Sequence, residues 1–390
     1  MVFVKYAAIA ALFLIVALCL AITIVPRFLD RVYYRGPVTD HFDGERFFNP
    51  DGDADTTRLP MPAGSSRFGF FWNQLTGKDG RPTWPKSIAV HAIAPPARVE
   101  DDRMVVTWVG HASVLIQTQG LNILTDPVWS EVAGPLGIGP HRVAEPGIAF
   151  DALPKIDLVL VSHNHYDHLD LATLKKLWAR DKPEVVTSLG NDSVIGQAGV
   201  PAKALDWGGR VAIRPGVDVI VTRNHHWGSR WGTDRNRALW SSFVVTLPGG
   251  NVFFSGDTGL GDSKWPVEAA AYGPIRFAMI PIGAFRFVEG QMESGSHVGP
   301  VDAVEIYRLL GAAHALPIHW GTFRLSFEAY DTPPRMLAAA MACTGQSGFT
   351  PEPIGVPFDV APYAVPKAAP PVTRAALLHC LDTPAVRAMR

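Results

Sequence analysis

The pattern of apolar and polar positions divides the chain into three textures. Residues 7–25 form an uncharged, almost wholly apolar run, preceded by Lys5 and closed by Pro26-Arg27. As a helix rising 1.5 Å per residue this run is roughly 28 Å long, close to the hydrocarbon thickness of a bilayer. Residues 27 to about 100 show no sustained period and are rich in Pro, Gly, Asp and aromatics, with Phe68-Gly69-Phe70-Phe71-Trp72 standing out. They read as an extended arm whose aromatics pack on a main domain. The sharper alternative is an interfacial contact that helps present a membrane substrate. From Met104 onward the texture is β, with apolar β-branched runs punctuated by turn residues.

These runs predict strands at 104–109, 113–118 and 121–125, the last ended by Asp126-Pro127. Asp157–Val161 has the character of a buried strand, and 171–179 has helical spacing. Strands follow at 185–188, 211–213 and 217–222, and a hairpin across Pro248-Gly249-Gly250 joins 242–247 to 252–255. A helix over 301–310, opened by Pro300, lies between strands at 277–282 and 315–318, and a terminal helix is expected at 372–382. Residues 130–150, rich in Gly and Pro, form a loop long enough to be functional. Two β-rich halves around helices predict an α/β four-layer αββα sandwich with ligands gathered at one edge.

Composition changes this picture little. A hydrophobic fraction of 47% and a charged fraction of 18% suit a globular protein with an apolar appendage. The formal net charge of −1 leaves no basic excess for tracking a phosphate backbone, so no nucleic-acid partner is expected. The apolar run is longer than a usual signal-peptide core and lacks a good small-x-small site, which favours an uncleaved single-pass anchor in a bacterial inner membrane. Lys5 on one flank and Arg27, Arg31 and Arg35 on the other favour a cytoplasmic globular part. Cys19 lies in the apolar run, and Cys343 and Cys380 have no metal-type spacing and are not expected to form a disulfide framework.

The chemistry concentrates where the 157–161 strand ends in Ser162-His163-Asn164-His165-Tyr166-Asp167-His168-Leu169-Asp170. In an extended segment His163 and His165 project to the same side and can reach one cation. Asp167 and His168 follow where the chain turns toward a helix that Asp170 can cap, and they face a second cation. The competing reading, a polar loop that is merely histidine-rich, fits the strand context poorly. Other chemistry-bearing strand ends are Asn224-His225-His226-Trp227, Gly256-Asp257-Thr258-Gly259 and His319-Trp320-Gly321. His163 and His165 with one of His225 or His226 would make a three-histidine site with an open fourth position. Asp167, His168 and His319 would hold a second metal, and Asp257 could bridge both. Two cations about 3.5–4 Å apart share a water and make a hydroxide nucleophile. Imidazoles with few carboxylates favour two zinc ions over magnesium or calcium, with iron or manganese as alternatives.

These motifs resemble the metallo-β-lactamase fold. One branch of it is closer still: the N-acyl-phosphatidylethanolamine-hydrolysing phospholipase D family and its bacterial relatives. The likeness rests on Thr107-Trp108-Val109-Gly110-His111-Ala112-Ser113, Leu124-Thr125-Asp126-Pro127, the 162–170 histidine motif and His226-Trp227. Leu239-Trp240-Ser241, Pro281-Ile282-Gly283-Ala284 and Ile318-His319-Trp320-Gly321-Thr322-Phe323 belong to the same pattern. It covers about 104–335, with a weaker piece at Arg46-Phe47-Phe48-Asn49-Pro50. The resemblance selects His226 over His225 as ligand and implies that Asp126 braces the histidine loop. It places His297 near the site, either at the leaving group or as plain helix-start structure. The chain departs from the family at Gly299, where relatives carry an acidic residue. His111, at a strand-to-strand bend, reads as structural; His41, His91, His141, His314 and His379 read as ordinary.

The expectation is a membrane-anchored di-zinc hydrolase. Its layout is an anchor at 1–26, an extension packing on the core at 27–100, a catalytic domain at 101–360 and a tail at 361–390. The metal set is His163, His165, Asp167, His168, His226, Asp257 and His319, with catalytic roles for Asp167, Asp257 and His297. The resemblance implies a phospholipid substrate, N-acyl-phosphatidylethanolamine, cleaved at a phosphodiester. Alternatives are a lactonase or soluble phosphodiesterase on the same site, and a non-catalytic metal-binding membrane component. The complete ligand set argues against the last.

Overall fold

Short apolar runs with a period of two build two sheets that share one core. The computed structural model describes residues 2–57, 66, 69, 72, 80–288, 290–292, 294–367 and 372–389. In chain order the elements begin α1 (Val2–Leu29), α2 (Ala54–Thr57), β1 (Met104–Gly110), β2 (Ser113–Thr118), β3 (Leu121–Thr125), β4 (Leu158–Val161) and α3 (Leu171–Asp181). They continue with β5 (Glu184–Ser188), α4 (Asn191–Gly196), β6 (Lys203–Leu205), β7 (Arg210–Arg214), β8 (Val217–Thr222), β9 (Ser242–Val245) and β10 (Asn251–Phe254). Next come α5 (Trp265–Ala270), β11 (Ile275–Pro281), α6 (Pro300–Leu310), β12 (His314–Ile318), α7 (Thr332–Thr344), β13 (Phe358–Val360), α8 (Arg374–Leu381) and α9 (Pro384–Arg387).

One sheet has the order β13-β1-β2-β3-β4-β5-β6 and the other β12-β11-β10-β9-β8-β7. Strand β4 shows how the layers form. Leu158 and Leu160 point inward to meet Val219, Val221, Phe243 and Phe254 of the facing sheet. Val159 and Val161 point outward onto Leu174 and Leu177 of α3. Each such buried aliphatic side chain stabilises the fold by about 1.5–3 kcal/mol. On the far side, Val244, Phe253, Ala278 and Ile280 pack under Trp265, Val304, Leu337 and Leu377. The layers are therefore helix, sheet, sheet, helix, as expected. Strands β3 to β6 run parallel, and so do β10 to β12. Their carboxyl ends open on a common edge, and the ligand candidates sit there.

The apolar pattern did not predict α7. Its Pro333 and Pro334 fall in the first turn, where a missing N–H costs nothing. The cysteine expectation is corrected: Cys343 on α7 and Cys380 on α8 form a disulfide, with Cα atoms 6.0 Å apart. Sequence spacing carries no trace of the pair, because tertiary packing of Leu337 and Leu377 in one cluster brings the two helices together.

The arm is tied down by polar contacts as well as aromatic ones. Phe42 and Phe47 are buried against Leu239 and Trp240. Tyr33 donates to Asp234 at 2.8 Å, and Asp30 pairs with Arg46 and Arg237, both at 2.8 Å. His41, far from ordinary, sits between Asp40 at 2.6 Å and Asp206 at 2.7 Å. Phe68, Phe70 and Phe71 lie outside the described residues; Trp72 is exposed. Within α1, Ile9–Leu29 has a mean hydropathy of 2.9 and no burial. That is long and apolar enough to cross a membrane, as an anchor or as a signal sequence.

Candidate metal centre

The histidine loop is held from behind by Asp126, at the end of β3. Its carboxylate accepts from the Ser162 backbone N–H at 2.7 Å and the Ser162 hydroxyl at 2.6 Å, and it meets His168 Nδ1 at 2.6 Å. The last contact orients the imidazole so that Nε2 faces the site. Asp170 closes the loop by capping α3, accepting from Ala172 N at 3.0 Å and Thr173 N at 3.2 Å. The Arg230 guanidinium supports the loop by donating to Leu169 O at 2.8 Å and Asn164 O at 3.1 Å. Across the edge, Asn224 donates to Ser255 O and Asp257 O, both at 2.9 Å, and so ties the ends of β8 and β10 together. His226 Nδ1 donates to Ser296 O at 2.9 Å, which leaves Nε2 as a lone-pair donor toward the site.

The side chains converge in overlapping sets whose donor atoms lie within 4.8 Å of one another. One is His163, His165, His226 and Asp257; another is His111, Asp167, His168 and His319; a third is Asp257, His297 and His319. Asp257 Oδ2 lies 3.0 Å from both His168 Nε2 and His319 Nε2, 3.7 Å from His297 Nδ1 and 4.0 Å from His226 Nε2. Asp167 Oδ2 lies 3.1 Å from His111 Nε2, 3.5 Å from His319 Nε2 and 3.7 Å from His168 Nε2.

These atoms fit a cation better than they fit one another. His165 Nε2, His168 Nε2, both nitrogens of His319, His297 Nδ1 and both oxygens of Asp257 are buried without a satisfying hydrogen bond. Such groups are costly to bury unless something is shared among them. Burial, and then neighbouring imidazoles, hold His163 well below its ordinary value. Burial likewise lowers His226 well below the ordinary range and brings His165 down to about 3. Burial alone would raise Asp257, but the charges of His168 and His319 keep it well below the usual carboxylate range. Against burial, Asp257 and Asp167 raise His168 well above normal and help lift His319 to about 9. The same carboxylates would bind divalent cations in exchange for those protons.

All seven expected ligands and His297 thus come to one edge of the sandwich. His225 turns away, held by Asp51 at 2.9 Å and Asp55 at 3.1 Å. His111 occupies its bend with φ 54° and also reaches Asp167, a contact the sequence reading did not foresee. Its one signal was its place in the Gly110-His111-Ala112 turn. Arg230 was missed altogether, and Asn224 was named only as the neighbour of His225, with no role assigned. At Gly299 a Cβ would lie 2.1 Å from Met292 O and 2.9 Å from the Phe285 ring. A larger side chain therefore has no room at Gly299.

Fold and donor set together define a metal-dependent hydrolase of the metallo-β-lactamase fold. The sequence model of the beta-lactamase superfamily domain matches residues 121–320, more than half of the 390-residue chain, and the protein belongs to that family. The chain is 34% identical over 251 residues to an uncharacterised protein of Mycobacterium tuberculosis, covering 62% of this chain and 66% of that one. It is 31% identical over 261 residues to N-acyl-phosphatidylethanolamine-hydrolyzing phospholipase D 1 of Caenorhabditis elegans, covering 64% of this chain and 72% of that one. The isothiocyanate hydrolase from Delia radicum gut bacteria has a similar structure, with a TM-score of 0.52 at 16% identity. The match covers 67% of this chain and 100% of that one, and shows the fold alone.

Proposed function

We propose that the protein is a di-zinc phosphodiesterase of the phospholipase D type that acts on N-acyl-phosphatidylethanolamine. The products are phosphatidic acid and an N-acylethanolamine. The observation that carries the reading is Asp257, whose carboxylate lies in reach of both imidazole sets. His163, His165 and His226 would hold one ion, and Asp167, His168 and His319 the other, with Asp257 shared between them. Bound there, the ions would supply a hydroxide at neutral pH and take up charge on the phosphoryl oxygens.

The chain's own groups orient the reaction. Asp167 and Asp257, ionised at neutral pH, would hold and orient the attacking water or hydroxide. Burial brings His297 down to about 4, so its ring is neutral at pH 7 and offers an N–H to the leaving oxygen rather than a charge. The bond between phosphorus and the ethanolamine oxygen breaks, the oxygen of water joins phosphorus, and its proton ends on the ethanolamine oxygen.

A dinuclear site does not by itself select a lipid. Support for the lipid comes from the Caenorhabditis elegans relative and from α1, which would keep the enzyme where acyl chains need not leave the membrane. Exposing those chains would cost about 0.8 kcal/mol per CH₂. The test pairs elemental analysis with product analysis on vesicle-embedded N-acyl-phosphatidylethanolamine and on lactones. About two zinc ions per chain and release of phosphatidic acid are expected. One ion or none in active protein removes the dinuclear reading, and rapid lactone opening without phosphatidic acid removes the phospholipase one.

A further inference from the structure

The 130–150 loop holds a built hairpin whose tip faces away from the protein. Val132 bridges His141, Ala133 N–H donates to Pro140 O at 3.0 Å and Arg142 N–H donates to Glu131 O at 2.9 Å. The base is fixed by the Arg142 side chain, which donates to Val128 O at 2.9 Å, Ser130 O at 3.1 Å and Ala144 O at 3.2 Å. The turn is so tight that a Cβ at Gly134 would fall 1.9 Å from Ile138 O. At its tip Leu136 is 89% exposed and Ile138 75% exposed, more than any large apolar residue described in α1. Leu136 also occupies the left-handed region at φ 55°, a conformation that costs a leucine energy, inside a turn closed by the Ile138 N–H donating to Pro135 O at 2.9 Å.

The position of the hairpin says what meets it. Glu131, Val132 and Gly134 form one wall of a cavity of about 360 Å³, and Tyr166, Leu169 and Arg230 of the histidine-loop side form the other. Arg230 lies 3.5 Å over the Tyr166 ring, its backbone N–H donates to Asp234, and Asp234 accepts from Tyr33. Tyr33 follows the end of α1 at Leu29 by a few residues. The segment after the apolar helix is thus linked through Tyr33 and Asp234 to Arg230 on the cavity wall facing the hairpin, and Tyr166 on that wall stands between His165 and Asp167 in the chain. Two aliphatic side chains offer far less than the roughly 800 Å² per partner of a stable protein interface. A lipid leaflet needs no matching shape.

We infer that the 131–142 hairpin is a second membrane contact, with Leu136 and Ile138 inserted into the lipid interface so that the cavity beside the metal centre opens on the bilayer. The activity arm of its test rests on the lipid-substrate reading; the depth arm does not. In full-length protein with Cys19 replaced, an environment-sensitive dye on Ile138→Cys should shift to the blue on phosphatidylcholine–phosphatidylglycerol vesicles. Acyl-brominated lipid should quench it. A dye that stays in water, or is quenched only by a second labelled copy, overturns the inference. The double variant L136S/I138S should hydrolyse vesicle-embedded N-acyl-phosphatidylethanolamine about tenfold more slowly, with an unchanged rate on bis(p-nitrophenyl) phosphate. Equal loss on both substrates, or no loss on vesicles, also overturns it. If the unsubstituted enzyme does not cleave the lipid, the phospholipase reading fails while the dye still decides the hairpin.

Discussion

Two regions of this molecule are built from histidine facing aspartate, and they do opposite things with it. In the seam between arm and domain every imidazole nitrogen has its own carboxylate. His41 meets Asp40 and Asp206, and His225 meets Asp51 and Asp55. Burial works against charge at both rings, but the paired carboxylates win and raise both. In the centre nitrogens outnumber carboxylates, and His165, His168 and His319 keep nitrogens with no satisfying partner. A ring with a carboxylate on each nitrogen is suited to act as a clamp; one with an open nitrogen is available to a cation. His225 and His226, adjacent in sequence, fall on opposite sides of this division.

The sharpest way to break the comparison is at Asp257. Asp257→Asn keeps the volume and removes the charge that both sets share. Hydrolysis should fall by more than about 100-fold and bound zinc below two per chain, with little change in the unfolding midpoint. An active, fully loaded variant would mean that the centre does not use this carboxylate. Next in size is the neighbouring pair. His226→Ala should lose metal on dialysis. His225→Ala should keep it and instead destabilise the arm by about 1.5–3 kcal/mol, seen as faster proteolysis of residues 30–57. The reverse outcome would put the register out by one residue.

Asp126 lies between the regions in character, since it acts on the centre without facing it. Asp126→Asn should weaken zinc binding by about 10–100-fold in a chelator competition. The smallest effect is expected at His41. Because its folded value is raised above 6.5, its clamp is fully present below that pH and fades as pH climbs through the raised value. The urea midpoint of the protein should exceed that of His41→Gln at about pH 6, and the gap should narrow by about pH 9. The difference should be on the order of 1 kcal/mol or less, since Asp40 and Asp206 are partly solvated. A gap that widens with pH would show the ring to be neutral in the fold.

The fold and the convergence of the candidate ligands were legible in the sequence for the same reason. Strands of period two that end in histidine or aspartate fix both the layers and the edge where side chains meet, as Leu158–Val161 followed by His163 and His165 illustrates. What was not legible depended on partners distant in the chain. His41 reads as isolated until Asp206 is brought beside it, and His111 reads as a bend until the histidine loop carries Asp167 to it. Arg230 holds that loop from a segment with no periodic pattern. Cys343 and Cys380 become a pair only when α7 and α8 pack.

That last pair bears on geography. A thiol pair persists as a disulfide in an oxidising compartment and is kept reduced in a cytosol. Were α1 an anchor, its charge flanks would favour a cytoplasmic domain, whereas the closed bridge suits an oxidising compartment. A domain folded in a reducing compartment would carry two thiols, and α8 would then lean on packing of Leu377 and Leu381 and on the Arg374–Asp302 pair without the covalent tie. The oxidation state of these two sulfurs is thus a record, written into the chain, of whether it folded in an oxidising or a reducing compartment.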